Sequence, residues 1–536
     1  MKRSKRLIAL AVLLLAVSGA TFGLTKYETK KEEIQTSDAI ILEIPADSVT
    51  SLSWKTDNAS GGGADTEESS TLDSTASTSS DTTASNKNTS SEASDIPVTA
   101  AQKKALEATA EEGLSFHKSE DGWVYDEDEN FPVDTDKVTD LLSHFEAFGV
   151  SFIIENVEDY SQYGLDKPEC TISIATEDTT YEVKLGAFSK MDEQRYVDIG
   201  DGNVYLVSTD PLDYLASSLS DMILDDTTPA WDDVTDIQFA GAENYSITYV
   251  EESTDSYSAG DTYFTEKDGK NLPLDPSAIS TYLKTIRTLS LNNHVSYNTT
   301  KEELAAYGLD APELSVTLHY TYTDEDEKEQ SGSCILYIGQ NAKELAAAKE
   351  AEENGEDTIP SVTSYVRMGS STEDSQDASQ IIYELDDSAY TVLAAASYND
   401  LRHKEIFWGD FADVTQMDIT LEDTTHTLTS ALDENSDTRT WYYGEEELDL
   451  ASLKSSIRAL SAEDADSFTN EMPSQKEEIS LTLTLDNEAF PQVSIQLYRY
   501  DGTSCLAVVD GETVSLIDRS QVVDLIEAVQ AIVLGS

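Results

Sequence analysis

A seven-residue sequence that occurs twice constrains the fold of this chain more than any other feature. Residues 163–169 read Tyr-Gly-Leu-Asp-Lys-Pro-Glu and residues 307–313 read Tyr-Gly-Leu-Asp-Ala-Pro-Glu, so only the fifth position differs. Glycine accepts the left-handed conformation that ends many helices, the leucine folds back onto the last turn, and proline prevents continuation. Alternating apolar residues after both copies predict strands. The motif therefore predicts a helix end before a strand; the alternative is a ligand loop.

Three other segments begin alike. In each of them Val-Thr follows an aspartate within two positions and leads into alternating apolar residues, as a half-buried strand does. These openings lie at residues 46–52, 232–237 and 412–417. Because they recur in similar contexts, they predict internal repetition.

An amphipathic helix is predicted after each opening. The apolar residues recur at spacings of three and four, which places them on one helical face. The predicted helices start after Asp134, at Asp275-Pro276, and at Asp449 or Leu450, where an aspartate can accept backbone N–H bonds. Closing helices are predicted near residues 211–219, 388–398 and 519–533.

These patterns predict an α+β chain of three related modules after an N-terminal transmembrane segment. Each module is expected to contain mainly antiparallel strands with one or two packed helices. The modules are assigned to residues 37–226, 227–408 and 409–536, and the third lacks the Tyr-Gly-Leu motif.

The first module contains a long polar insertion. Val49 and Tyr163 are 114 residues apart, whereas Val234 and Tyr307 are 73 apart. Residues 57–100 account for the excess, with 19 Ser or Thr among 44 residues and no aromatic residue. Such a composition cannot bury a core, so we assign a disordered insertion to residues 57–112, apart from a short Ala-rich helix between 99 and 112. It should leave from the tip of a hairpin.

The N-terminus has the composition of a membrane signal. Residues 1–6 contain four basic side chains, and the 18 residues from 7 to 24 contain no charge. A spanning helix needs about 17 residues or more, so we predict a signal-anchor with residues 1–6 inside and the bulk of the chain outside the cell. Cleavage after Ser18-Gly19-Ala20 is the alternative.

Charge and cysteine content exclude several classes of protein. The chain has 34 Lys or Arg and 104 Asp or Glu, for a net charge of −70, so it is expected to bind no nucleic acid. Cys170, Cys334 and Cys505 lie far apart in predicted strands. We interpret them as buried thiols rather than as disulfide or zinc ligands.

The repeated motif, the three openings and the single apolar run resemble the domain of unknown function 4340 family. The resemblance covers residues 40–407 well and the last module loosely. It implies a bacterial, mostly membrane-anchored, extracytoplasmic repeat protein of α+β type. Some relatives are encoded beside ATP-binding cassette transporters, which implies an accessory role. The family supplies no catalytic residues.

No catalytic motif stands out. The H-E-x-x-H, G-x-S-x-G and Walker A sequences are missing, and Ser115 to Lys118 matches S-x-x-K without its partner motifs. The acidic runs at 126–130 and 324–327 are read as solvated turns, and the calcium-like start at Asp433 lacks the glycine and glutamate of a calcium loop. We therefore predict no catalytic, cofactor or metal residue and no cofactor.

Aromatic residues on two strands give the candidate binding residues. Exposed rings could stack on sugars or peptides, although strand aromatics are usually core. The residues are Trp123, Tyr125, Trp441 and Tyr442.

The sequence thus favours a non-enzymatic, membrane-tethered interaction protein with an envelope partner such as a transporter. A binding module for cell-wall glycan or peptide and an enzyme of unrecognised type are the alternatives.

Overall fold

The computed structural model describes residues 33–57, 98–120, 122–207, 209–369, 379–432 and 438–535. The chain divides into two compact units: residues up to 225 together with 294–303, and residues 226–293 together with those from 304 onward. The apolar run at 7–24 lies outside the described residues. Within the described ranges no helix is long and apolar enough to cross a membrane.

The first unit is built on one antiparallel sheet with the strand order β1-β7-β11-β10-β9-β8-β3-β4-β5. Its strands are β1 (Glu33–Thr36), β3 (Val49–Thr56), β4 (Leu114–Lys118), β5 (Trp123–Tyr125), β7 (Phe152–Glu155), β8 (Cys170–Thr176), β9 (Thr180–Ser189), β10 (Gln194–Asp198) and β11 (Val204–Val207). The strands β2 (Ile40–Leu42) and β6 (Phe148–Gly149) form a separate two-stranded ribbon. The short strand β16 (His294–Ser296) also belongs to this unit.

The second unit contains two antiparallel sheets that share one strand order. The first follows β15-β14-β13-β12-β17-β18-β19-β20 and the second β24-β23-β22-β21-β25-β26-β27-β28. The first consists of β12 (Asp233–Ala240), β13 (Asn244–Tyr249), β14 (Tyr263–Lys267), β15 (Lys270–Pro273), β17 (Leu314–Thr323), β18 (Glu329–Gln340), β19 (Ser364–Gly369) and β20 (Ile382–Leu385). The second consists of β21 (Val414–Leu421), β22 (Thr424–Leu432), β23 (Arg439–Tyr443), β24 (Glu446–Leu448), β25 (Glu477–Leu485), β26 (Gln492–Arg499), β27 (Ser504–Val509) and β28 (Glu512–Asp518).

Several helices begin behind a capping side chain. They are α1 (Ala100–Leu106), α2 (Thr135–Ser143), α3 (Pro276–Arg287), α4 (Lys301–Ala306), α5 (Ala342–Glu353), α6 (Asp387–Ala394), α7 (Tyr398–Leu401), α8 (Ala451–Ala459) and α9 (Arg519–Gly535). Asp134 accepts the N–H groups of residues 136 and 137, and Asp275 accepts that of Ser277 at 2.8 Å. The predicted starts of α2, α3 and α8 are confirmed.

Strands with alternating apolar residues bury one face. In β25, Ile479, Leu481 and Leu483 are buried, whereas the intervening Ser480 and Thr482 remain partly exposed. Buried leucines and isoleucines of α8 and α9 belong to the same core. An antiparallel sheet with one covered and one wet face is the usual result of such a pattern. The predicted α+β class, with mostly antiparallel sheets, is confirmed.

The repeated motif ends a helical turn in both copies. After α4, Gly308 has φ +69°, and Leu309 N–H bonds the carbonyl of Leu304 at 2.7 Å. Gly164 has φ +70°, and Leu165 N–H bonds the carbonyl of Tyr160 at 3.1 Å. This 6→1 bond is that of the Schellman motif, so the predicted helix-end role is confirmed. The first copy ends a 3₁₀ turn rather than an α-helix.

A second glycine in the next strand pair lies against each turn. A Cβ at Gly186 in β9 would approach the carbonyl oxygen of Tyr163 to 2.3 Å. A Cβ at Gly339 in β18 would approach that of Gly308 to 2.5 Å. Each helix end therefore packs backbone against backbone, which only glycine permits.

The polar insertion interrupts a β-hairpin. Strands β3 and β4 pair antiparallel, with Trp54 opposite Leu114, as predicted. The predicted disorder of residues 58–97 lies outside the described residues. Within the 57–112 range the described part contains α1, which forms behind a capping box of Thr99 and Gln102. The short Ala-rich helix is thereby confirmed.

The closing helix predicted near residues 211–219 is wrong. The chain makes two separate 3₁₀ turns there, Pro211–Asp213 and Leu219–Met222. Asp210 caps the first, and Ser218 with Asp221 forms a capping box for the second. Two competing N-terminal caps within eight residues break one helix into two turns.

Candidate functional site

The most elaborate side-chain cluster of the second unit lies where its two sheets meet. The loop between β13 and β14 supplies Tyr257, and the linker between α7 and β21 supplies Phe407 and Trp408. Tyr257 stacks on Phe407 with ring centroids 5.5 Å apart and an interplanar angle of 12°. It also lies 4.7 Å from the Trp408 ring at 33°. The linker is thus held against the first of the two sheets by aromatic contact.

A buried carboxylate fixes the same cluster. Asp261 is 3% exposed, and its Oδ2 accepts hydrogen bonds from Ser256 Oγ and from Trp408 Nε1, the latter at 2.9 Å. Its Oδ1 lies 2.9 Å from His403 Nε2. The His403 ring stacks on Trp408 with centroids 4.5 Å apart at 9°. Both carboxylate oxygens are therefore engaged, which stabilises a charge that is costly to bury without partners.

This arrangement fixes the orientation of His403 and Trp408. A carboxylate bonded to a histidine also orients the base in catalytic triads. Among the described residues, no hydroxyl or thiol is hydrogen-bonded to His403. The geometry thus positions an imidazole and an indole, and it assigns no nucleophile to them.

Two clefts share Trp408 as a wall. The first has a volume of about 860 Å³ and is bordered by His403, Asp410, Asp413 and Arg458. The second has a volume of about 780 Å³ and is bordered by Tyr257, Lys270, Phe490 and Asp510. Both fall within the roughly 300–1,000 Å³ typical of ligand sites. One rigid indole therefore serves two concave surfaces.

The first cleft carries more acidic than basic groups. Asp275, Glu405, Asp410 and Asp413 border it, against the single guanidinium of Arg458. The Arg458 Cζ lies 5.0 Å from the centre of the Phe411 ring, a cation–π contact. Burial, and then the charge of Arg458, lower the pKa of the neighbouring Lys454. The rim thus has a local negative potential beside an aromatic wall.

Comparison with known proteins defines the family. The model of the family described as "Domain of unknown function (DUF4340)" matches residues 123–267 and 264–484, which together exceed half of the chain. The chain belongs to the DUF4340 family. This confirms the family resemblance that the sequence motifs indicated. No curated protein and no solved structure matches it.

The aromatic residues selected from the sequence of this DUF4340 chain do not form the clefts. Trp123, Tyr125 and Trp441 are buried, and Tyr442 is half-buried. Tyr125 packs against Phe116, with ring centroids 5.7 Å apart. Burial, helped by nearby carboxylates, raises the pKa of Tyr125 to about 12. Trp123, Tyr125 and Trp441 are core residues in the structure, which is the alternative that strand position favoured, whereas Tyr442 is only half-buried.

The residues that form the DUF4340 clefts were missed by sequence reasoning. Phe407-Trp408-Gly409 is a short aromatic run in a linker, and His403 precedes it. That run is the only local signal. Asp261, which is hydrogen-bonded to both His403 and Trp408, is 142 residues away from His403 in the sequence. No spacing rule joins residues at that separation.

The acidic runs have local roles where the structure describes them. Asp324 accepts the N–H groups of Asp326 and Lys328, which closes the turn between β17 and β18. Those bonds lower the pKa of the Asp324 carboxyl. Within the described ranges no group of three or more His, Cys, Asp or Glu side chains is arranged to hold a metal. Residues 433–437 of the calcium-like segment lie outside the description.

Proposed function

We propose that this DUF4340 protein is a non-enzymatic, membrane-tethered interaction protein that binds a basic segment of an envelope partner in the clefts beside Trp408. The observation that carries the proposal is the indole of Trp408, which is held by Asp261 and exposed to two clefts. A pre-oriented aromatic side chain loses little conformational entropy on binding, as binding anchors require.

Charge supports a basic segment as the ligand. The chain carries a net charge of −70, so its field attracts cationic partners and repels anionic ones. The first cleft adds four carboxylates beside the indole face. Lysine and arginine side chains pair with carboxylates and also stack on tryptophan. Long-range steering and local recognition therefore favour the same chemistry.

The tether is proposed from the sequence. Basic residues precede the uncharged run at 7–24, and this order favours a single-pass segment with the bulk of the chain outside the cell. The family resemblance supports a transporter as the partner. The protein would then act as an accessory subunit that binds an exposed basic loop.

A photo-crosslinking experiment with matched charge reversals tests the proposal. A photoreactive amino acid is placed at Ser258, beside the first cleft, in membranes that contain the full chain. Glu405→Lys with Asp413→Lys reverses two exposed rim charges and should abolish the crosslinked product. Glu356→Lys with Glu488→Lys makes the same change in net charge at exposed positions outside both cleft linings and should leave it intact.

Two results would contradict the proposal. One is an equal loss of the crosslinked product in both double variants, since the net charge of the chain alone would then explain the binding. The other is recovery of no crosslinked partner from membranes.

A further inference from the structure

We infer that the first unit carries a separate site for a sugar ring, in the cleft between the β2–β6 ribbon and the 3₁₀ turn Pro211–Asp213. The cleft has a volume of about 480 Å³. The residues that carry the argument are Asp38, Ser143, His144, Ser151, Thr209 and Tyr214, all of which line it. None of them belongs to the clefts beside Trp408.

Tyr214 provides an aromatic platform. Tyr214 is one of the large hydrophobic residues at the surface, and it is 44% exposed to solvent. The His144 ring stacks on it with centroids 3.7 Å apart at 29°. Because His144 covers one face of the phenol ring, the exposed area lies on the other face and the edge. A pyranose presents a face of C–H groups that packs on such a ring.

Hydroxyl groups surround this platform. Ser143, Ser151, Thr209 and Asp38 line the cleft, and the Ser143 hydroxyl donates to the carbonyl of Asp140 at 2.6 Å. A hydroxyl both donates and accepts, and a carboxylate accepts at two oxygens, so the set matches the hydroxyls at the edge of a sugar. A cationic peptide would need more carboxylates than Asp38 alone. A lipid chain would need a wholly apolar lining, whereas here Ala147, Phe148 and Val150 alternate with the polar side chains.

The half-buried Gln194 contacts one of these hydroxyl groups from outside the lining. Gln194 Nε2 donates to Ser151 Oγ at 3.1 Å. The other end of the same amide, Gln194 Oε1, is buried without a hydrogen-bond partner. Buried acceptors are nearly always satisfied, so this oxygen is an exception. The amide N–H group thus fixes the position of the Ser151 hydroxyl at the cleft.

Saturation-transfer NMR with two trisaccharides tests the site. The probes are the trimer of N-acetylglucosamine and maltotriose, added to the full chain in detergent, after its fold is verified by circular dichroism. Signal transfer to at least one probe is expected. Tyr214→Ala should weaken binding about tenfold, whereas Tyr214→Phe, which keeps the ring, should bind nearly as the parent does.

Control variants distinguish binding at this site from nonspecific binding and from the effects of misfolding. Tyr322→Ala removes a tyrosine of similar exposure, 36%, from the second unit and should change nothing. Thr209→Val removes only a hydroxyl at an exposed position and should weaken binding even if Tyr214→Ala unfolds. No transfer to either probe, or equal loss with Tyr322→Ala, would overturn the inference. Crosslinking at Ser258 should be unaffected by Tyr214→Ala, so failure here is distinguishable from failure of the proposed function.

Discussion

Asp261 is a residue on which the junction of the second unit depends. Its carboxylate is buried and receives hydrogen bonds from a serine, a tryptophan and a histidine that come from two different loops. Removal of one partner from such a group leaves the others unsatisfied, which costs more than the bond itself contributes. The ring stack on Trp408 depends on the same contacts.

We therefore expect Asp261→Asn to destabilise the second unit by about 2–4 kcal/mol. The amide keeps the shape of the side chain, but it loses the charge and presents an N–H group to other donors. Urea denaturation followed by tryptophan fluorescence measures the loss. Glu488→Gln, an exposed carboxylate, is the control and should stay within about 0.5 kcal/mol of the parent. An unchanged midpoint for Asp261→Asn would show that the cluster does not hold the junction.

The three cysteines should be unreactive in the folded protein. All are buried free thiols, and burial raises the pKa of Cys170 to about 12, of Cys334 to about 11 and of Cys505 to about 12. The thiolate is the reactive form, and at pH 8 these thiols stay protonated. A thiol-specific reagent at pH 8 should label all three in urea and label them in buffer only at the rate of unfolding. Fast labelling in buffer would contradict the buried positions.

At the scale of elements, the helical turn that ends in each copy of the repeated motif depends on close backbone packing. Gly308 and Gly355 have nearly the same left-handed φ, +69° and +67°. A Cβ at Gly308 would meet the Gln340 carbonyl oxygen at 2.5 Å, whereas a Cβ at Gly355 would meet nothing within 4 Å. A comparison of alanine substitutions at these two positions therefore separates the cost of a left-handed backbone from the cost of steric crowding.

We expect Gly355→Ala to cost about 1 kcal/mol, the price of a left-handed alanine. Gly308→Ala should cost at least about 2 kcal/mol more, because the turn must move away from β18. Thermal unfolding of the two variants measures the difference. Equal losses would mean that the approach of the turn to the strand contributes nothing.

The polar insertion should be removable, but only up to a definite residue. Replacement of residues 58–97 by a short turn should leave the melting temperature unchanged or slightly raised, because loop-closure entropy grows only with the logarithm of length. Extension of the deletion through Leu106 should destabilise the first unit, because Gln102 in α1 is buried and donates to the carbonyl of Tyr297. Limited proteolysis should cut the parent within 58–97 first. Unfolding after the shorter deletion would show that the insertion is structural.

At the scale of the whole molecule, the proposed tether is short. Eight residues, 25–32, separate the apolar run from β1, which pairs with β7 at the edge of the first sheet. At about 3.3–3.6 Å per residue they span no more than roughly 30 Å. On the proposed topology, the edge of the first sheet therefore stays near the membrane surface.

Protease added to intact, wall-stripped cells should therefore remove the acidic units. A flexible Gly-Ser linker of about twenty residues inserted after Lys31 should leave the fold unchanged and reduce crosslinking to a membrane partner, because it lowers the effective concentration. Protection of the units until lysis would refute the outward orientation. An unchanged crosslinking yield would mean that the length of the tether does not limit binding to the partner.

The sequence by itself determined the features that depend on neighbours along the chain. Aspartate caps and three-and-four spacing located α2 and α3, and the glycine-leucine-proline order located both helix ends. Alternation gave the strands and the α+β class. These are local effects, because capping bonds and strand periodicity involve residues a few positions apart.

The tertiary structure alone decided which faces are covered and which distant residues meet. Alternation shows that a strand has two faces, but the buried state of Trp123 and Trp441 follows from what packs on them. At 211–219 two caps competed, and contacts such as that of Asp210 with Arg195 at 2.7 Å set the outcome. The meeting of Asp261 with His403 requires the strand order of a whole sheet between them. Contacts at such separations depend on topology, which no local pattern specifies.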